Sequence, residues 1–405
     1  MSGAPHTRGS RATWVISAFM AVAMALGASG CGGGSSGPST NAAPAPAPLP
    51  TPTFPGRISL FAGSWMERGV ADGSGTSARF TSILSLAAGP DGTLYVGDGN
   101  AIRRITPGGD VSTLAGKQVA GRNGPTDGIG AAAQFCSVGG ITTDSNSNVY
   151  VVDRSFSSNV AVFGYSCGAN YVRRVAPDGV VSPFAGIQGH ASRTMVDGPA
   201  GTAGFVAPFP AASDGAGNVY VLDRGFGTTA AIRKITPLGQ VSTVVQGIQD
   251  TPASLYYGSP YSLAAAQDGT LYFAHDGEIR KLPPGGALTT LAGALGQYGV
   301  QDGVGAAARF KKPGSMAVDE NGNVYILEMV FIDNFNETGL VRKITPSGTV
   351  STIAGALGPA AYILGDLPGR FDQPFALTAD RRGNLYVSVG TYSSGQAILK
   401  IELPK

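Results

Sequence analysis

Histidine, cysteine and charge are all scarce in this chain. Of 405 residues, 3 are His, 3 are Cys, and 13% carry a formal charge. His6, His190 and His275 lie far apart, and no HExxH, CxxC or histidine cluster occurs. A catalytic zinc centre draws on about three protein ligands, so that class finds no motif here. GxSxG is absent too, and no serine stands out as a nucleophile. Basic and acidic residues number 28 and 26. Arg8 and Arg11 fall in the first thirty residues, so the rest of the chain is balanced. Nucleic-acid binding needs a basic footprint for the phosphates, and that class is excluded. The glycine-rich DGSG and DGIG (72–75 and 127–130) precede no helix pattern, so they read as turns rather than phosphate cradles. Long apolar runs are also missing. Trp14–Leu26 spans about 13 residues, too short to cross a bilayer comfortably but the length of a signal-peptide core.

That run follows Arg8 and Arg11 and precedes Ala28, Ser29, Gly30 and Cys31. The stretch ALGASGCGGGSS resembles a bacterial lipoprotein signal, with Ala28 where leucine is commonest. The resemblance implies that residues 1–30 are removed and that Cys31 carries lipid. Gly32, rather than Asp, implies the outer membrane of the cell envelope. An ordinary secretory signal with an incidental cysteine is the alternative. Residues 31–55 read as a linker, flexible where Gly and Ser dominate and extended where Ala alternates with Pro.

What the chain does have is 61 Gly, 27 Pro and internal repetition. One anchor recurs as TLYVGD (93–98), NVYVVD (148–153), NVYVLD (218–223), TLYFAH (270–275), NVYILE (323–328) and NLYVSV (384–389). Each alternates with the period of a strand and follows a hairpin turn signal. A small-residue strand precedes each anchor. A third strand of the type IRRITPGG follows, then VSTLAG or a relative of it. Four strands in each of six units, with no helical pattern between, predict an all-β fold, a six-bladed β-propeller of four-stranded blades. The order DGxGxxAxF, GN before YV, IRKITP and VSTLAG resembles the NHL-repeat family over residues 56–405, more weakly in the fourth unit. The sixth unit ends at ILKIELPK (398–405) with no VSTLAG after it, while GRISLFAG (56–63) has nothing before it. The N-terminal strand should therefore complete the last blade and close the ring, leaving no open edge.

The copies can be compared with one another. Asp98, Asp153, Asp223 and Glu328 end their anchors, and Arg103, Arg173, Arg233 and Arg342 hold the second place of the third strand. In the sixth unit the two places are Val389 and Leu399, lost together. Adjacent antiparallel strands would bring acid and guanidinium into contact, so these are expected to be structural ion pairs. Asp72, Asp127, Asp197 and Asp302 sit in DG turns, where turn hydrogen bonding is the expected role.

No catalytic residue, metal ligand or cofactor is assigned. The strands expected to line the axis are almost devoid of Glu, Asn and His. Lactonase-like and amidating-lyase-like propellers place metal ligands there, so this chain departs from them. With Cys31 lipidated, Cys136 and Cys167 are expected to form a disulfide, permitted in an oxidising envelope. The two longest departures from the repeat, 154–171 and 329–339, carry Phe156, Phe163, Tyr165, Phe331 and Phe335. Loops on a rigid scaffold are where binding concentrates; folding back over neighbouring blades is the alternative. The expected function is a monomeric, non-catalytic binding or scaffold module for a protein, peptide or envelope glycan, touching the membrane only through its anchor. A metal-dependent hydrolase or lyase using the axial pocket, and a structural spacer in an envelope assembly, are the alternatives.

Overall fold

The computed structural model describes residues 55–117, 125–154, 170–188, 192, 194–225, 229–249, 262–331, 337–391 and 393–404. Cys31, Phe156, Phe163, Tyr165, Cys167 and Phe335 lie outside them. Six antiparallel sheets follow one another along the chain. Blade one shows the plan, with an innermost strand at Ile83–Ala88, a second at Leu94–Asp98, a third at Ala101–Ile105 and an outermost at Asp110–Gly116. The innermost strands adjoin in order around an axis, and that of blade six, Pro374–Ala379, returns to that of blade one. Among the described residues the helices are three short 3-10 turns, Gly75–Ser77, Gly130–Ala132 and Gly305–Ala307.

The last blade is built from both ends of the chain. Arg57–Gly63 lies against Gly395–Glu402, with Ile58 opposite Ile401 and Leu60 opposite Leu399. The expected four strands per blade need one correction. In blades one, two, five and six a two-residue fifth strand, such as Gly73–Ser74, pairs with the outermost strand. It comes from the DGxG segment in blades one, two and five and from Gly365–Asp366 in blade six.

Apolar alternation explains how blades join. Each blade buries side chains against the next, as Tyr95, Ile102 and Ala115 of blade one do against Phe135, Val138 and Ile141 of blade two. The Phe of DGxGxxAxF is the wedge, and Phe80, Phe205, Phe310 and Phe371 are among the largest fully buried side chains. Each contributes about 1.5–3 kcal/mol by leaving water. Gly63, Gly116, Gly186 and Gly293, at the ends of outermost strands, make room for Phe80, Phe135, Phe205 and Phe310. Gly116 has φ +85°, and a Cβ there would lie 2.4 Å from the Asn100 carbonyl oxygen and 2.9 Å from the Phe135 ring.

Removing Arg57–Gly63 would strip the partner from Gly395–Glu402 and uncover the fully buried Ile398 and Leu399. The truncated chain should lose its cooperative melt and self-associate. Thermal unfolding beside size-exclusion chromatography checks this, and a truncate that melts like the parent rules out a sealing role for the strand.

Candidate functional site

The acid–arginine partnership is realised in four blades. The Nη1 of Arg103 lies 3.0 Å from Asp98, with both side chains fully buried. The corresponding distances are 3.1 Å for Arg173–Asp153, 3.2 Å for Arg233–Asp223 and 2.8 Å for Arg342–Glu328. The DG-turn aspartates do something other than the expected turn bonding. Asp72, half exposed, places Oδ1 2.7 Å from Arg103 Nη2, and Asp127, Asp197 and Asp302 repeat the contact at 2.6–2.8 Å. Each buried arginine thus faces two carboxylates. Arg103 also donates to the carbonyls of Ala71 and Arg79 and lies 5.2 Å from the centroid of the Phe80 ring. Its Nε is left without a partner. The outer acid is tied further, since Thr113 donates both its N–H and its hydroxyl to Asp72. Blade four departs, with His275 in the acid place and Arg280 bonded instead to Glu278 at 3.2 Å.

The two acids on one arginine titrate in opposite directions. Burial pushes Asp223 up to about 6, only partly offset by the N–H groups of Ala207 and Val206 and by Arg233. Asp197 feels a smaller desolvation, and bonds from Thr243 and Arg233 hold it below the usual carboxylate range. Asp223 therefore contributes stability below its unfolded value that falls away as pH rises through about 6. Asp197 contributes stability above its unfolded value that is lost on acidification.

The axis carries two cups back to back. One, of about 180 Å³, opens on the face of the hairpins joining first and second strands, here the turn face. The other, of about 140 Å³, opens on the face where the innermost strands begin, the face on which the second strands Val149–Arg154 and Val324–Phe331 end. A waist of Leu86, Ile141, Ala211, Leu263, Met316 and Leu377 lines both. Each cup is smaller than the pockets that enclose drug-sized ligands.

Five carboxylates line the turn-face mouth; Glu320 is exposed, 3.8 Å from Arg381, and the four aspartates are saturated. Asp214 Oδ1 accepts the N–H groups of Ala216 and Asn218, and its Oδ2 accepts Asn218 Nδ2 and the Tyr220 hydroxyl. Asp144, Asp319 and Asp380 accept the same four donors from their own hairpins. Burial, and then Asp144, push the Tyr150 hydroxyl up to about 12, so it stays a donor. A carboxylate offers about four lone-pair sites, and four donors leave none for a cation. Among the described residues no group of three His, Cys, Asp or Glu is placed to hold a metal.

On the opposite face, Cys136 is disulfide-bonded just ahead of the innermost strand of blade two, Val138–Thr143. Phe331 is 38% exposed at the end of Val324–Phe331. The blade-five departure is mostly an extended hairpin rather than a loop, since Val324–Phe331 pairs with Glu337–Ile344 as far as Phe331 opposite Glu337. Lys312 and Lys311 flank Phe331, with the Lys312 ammonium 4.8 Å from the ring centroid and Lys311 Nζ 3.3 Å from the Phe331 carbonyl.

Residues 66–123 match the family model described as the teneurin NHL domain. Human Teneurin-4 is 26% identical over 315 residues, which cover 71% of this chain and 10% of the relative. The chain thus spans about a tenth of that relative's length. Among solved structures, a Bacteroides thetaiotaomicron protein of unknown function is similar at 20% identity and TM-score 0.59, over 86% of this chain and 76% of that one. An auxiliary nutrient binding protein of the same organism is similar at 17% identity and TM-score 0.57, over 86% and 77%. Another from Bacteroides ovatus shows 16% identity and TM-score 0.54, over 86% and 77%. At these identities the likeness is one of fold.

Arg103→Met leaves two carboxylates facing each other around a vacated charge and should cost about 3–5 kcal/mol. The combined change Asp72→Leu, Asp98→Val, Arg103→Leu and Thr113→Leu installs the side chains that blade six carries at these places. It should be better tolerated than the single substitution. Urea unfolding of the two variants beside the parent decides it, and a quadruple variant less stable than Arg103→Met would refute the equivalence.

Proposed function

We propose that this six-bladed propeller of NHL-like repeats works as a non-catalytic binding module held at the bacterial envelope by lipid on Cys31. Its partner is a protein, peptide or envelope glycan, engaged by the face that carries Phe331 and the departures at 154–171 and 329–339. The observation that carries this reading is the saturation of the axial aspartates. The aspartates Asp144, Asp214, Asp319 and Asp380 at the turn-face mouth are each occupied by their own hairpin, Glu320 at the same mouth lies out in solvent 3.8 Å from Arg381, and the waist beneath is apolar. General acid–base work needs a titratable group within reach of a substrate proton, and metal-assisted hydrolysis needs an open coordination position; the four saturated aspartates offer neither. The likeness to nutrient-binding propellers adds only that binding is among the uses of the fold. Phe156, Phe163, Tyr165 and Phe335 are carried from the sequence as further contacts on the same face, and Cys167 as the partner of Cys136.

Residues 56–405, immobilised and challenged with envelope extract, should retain a component that Phe331→Ala releases or weakens at least tenfold. The full chain should partition with membranes and Cys31→Ser with the soluble fraction. Stoichiometric zinc or calcium in the purified protein, with lactone hydrolysis that depends on it, would replace this reading with an enzymatic one.

A further inference from the structure

We propose that the cup on the face bearing Phe331 takes one apolar side chain from an acidic peptide segment of a partner protein. This rests on the binding-module reading and adds the site and the chemistry of the ligand. The cup narrows from Leu84, Phe209 and Phe375 to the apolar waist. Its lining contains two side-chain hydroxyls, and both are committed to holding blades together. Ser85 donates to the Gly139 carbonyl at 2.6 Å, while Ser315 donates to the Leu377 carbonyl and accepts the Leu377 N–H. A sugar entering here would find both side-chain hydroxyls already bonded, and each polar group buried without a partner costs about 1–3 kcal/mol. An aliphatic or aromatic side chain meets no such cost, and the cup has room for one.

The charge around this mouth selects what flanks that side chain. Lys311 and Lys312 stand immediately before Pro313–Val318, the blade-five strand whose Gly314 lines the cup. Their ammonium groups meet the Phe331 carbonyl, the Phe331 ring and the Met329 sulfur, none of which answers a positive charge with a negative one. Glu328 nearby is already held by Arg342, which leaves Glu337, opposite Phe331, as the described carboxylate of that hairpin. The other mouth carries Asp144, Asp214, Asp319, Asp380 and Glu320 against one lining cation, Arg381. An acidic segment is therefore drawn to one face and turned away from the other, and the charge sets encounter and orientation while the apolar side chain supplies burial.

The test uses fluorescence polarisation at low salt with the propeller, residues 56–405. The probe is a labelled pentapeptide with a central leucine and two glutamates on each side. It should bind, and binding should weaken at least tenfold when glycine replaces the leucine or lysines replace the glutamates. The double variant Lys311→Glu/Lys312→Glu should weaken it at least tenfold, Leu84→Asp should do the same from within the cup, and Glu337→Gln should tighten it. Each variant's melting temperature confirms that it is folded. No binding, equal binding of the control peptides, or indifference to both variants overturns the proposal. So does tighter binding of a galacturonate oligosaccharide at the same residues. If the variants still capture the envelope component that the parent captures, this site falls and the binding-module reading stands.

Discussion

A guanidinium with no atom exposed to water must have its charge answered where it stands. In four blades the answer is the same: an inner carboxylate, an outer carboxylate, two carbonyls and a phenylalanine face. One side chain from the third strand thereby ties the end of the second strand to the DGxG segment that enters the blade. The connection between blades is positioned by this contact, and the phenylalanine wedge, the outer fifth strand and the start of the innermost strand all take their places from it. The arrangement is not fully satisfied, since Nε of Arg103, Arg173 and Arg233 has no partner. Burying a charge pair is weak evidence for stability but strong evidence for geometry, because a shifted register would strand one partner.

The closing blade shows that the position, not the charge, is what the fold requires. There the four places are Leu60, Leu364, Val389 and Leu399, all apolar, with Leu399 opposite Leu60 as Arg103 is opposite Thr113. Val389 and Leu399 join the cluster that packs blade five against blade six. Of the four places only Leu60 comes from the far end of the chain, so it is the one whose contact waits for closure. Apolar contacts tolerate approach from any direction, which suits a strand that arrives from elsewhere.

The blade count, the closure and the acid–arginine pairing were all legible in the sequence, because six imperfect copies can be read against each other. Val389 and Leu399 changing together identified a partnership that no single unit could. The same comparison extended to Leu364 and Leu60 would have shown that Asp72 and Thr113 belong to it. The local DG signal, which ordinarily means a turn, hid that role. The fifth strand was not legible, since two residues carry no periodicity. Nor was the saturation of the axial aspartates, although Asp, Asn and Tyr at i, i+4 and i+6 recur in four units and mark it once seen. Lys311 and Lys312 gave no signal, because their importance lies in what they face across a cup built from several blades.

The pairing of Ile58 with Ile401 joins residues nearly the whole length of the domain apart. During synthesis the first strand emerges long before its neighbour exists, and every other blade can form while it waits. Sealing the ring is therefore the last event in assembly, and the slowest kind, since the entropy of closing so long a loop must be met before the contact repays it. An interrupted chain would hold an unpaired apolar strand and five finished blades, a species that quality control can tell from the complete one by that strand alone.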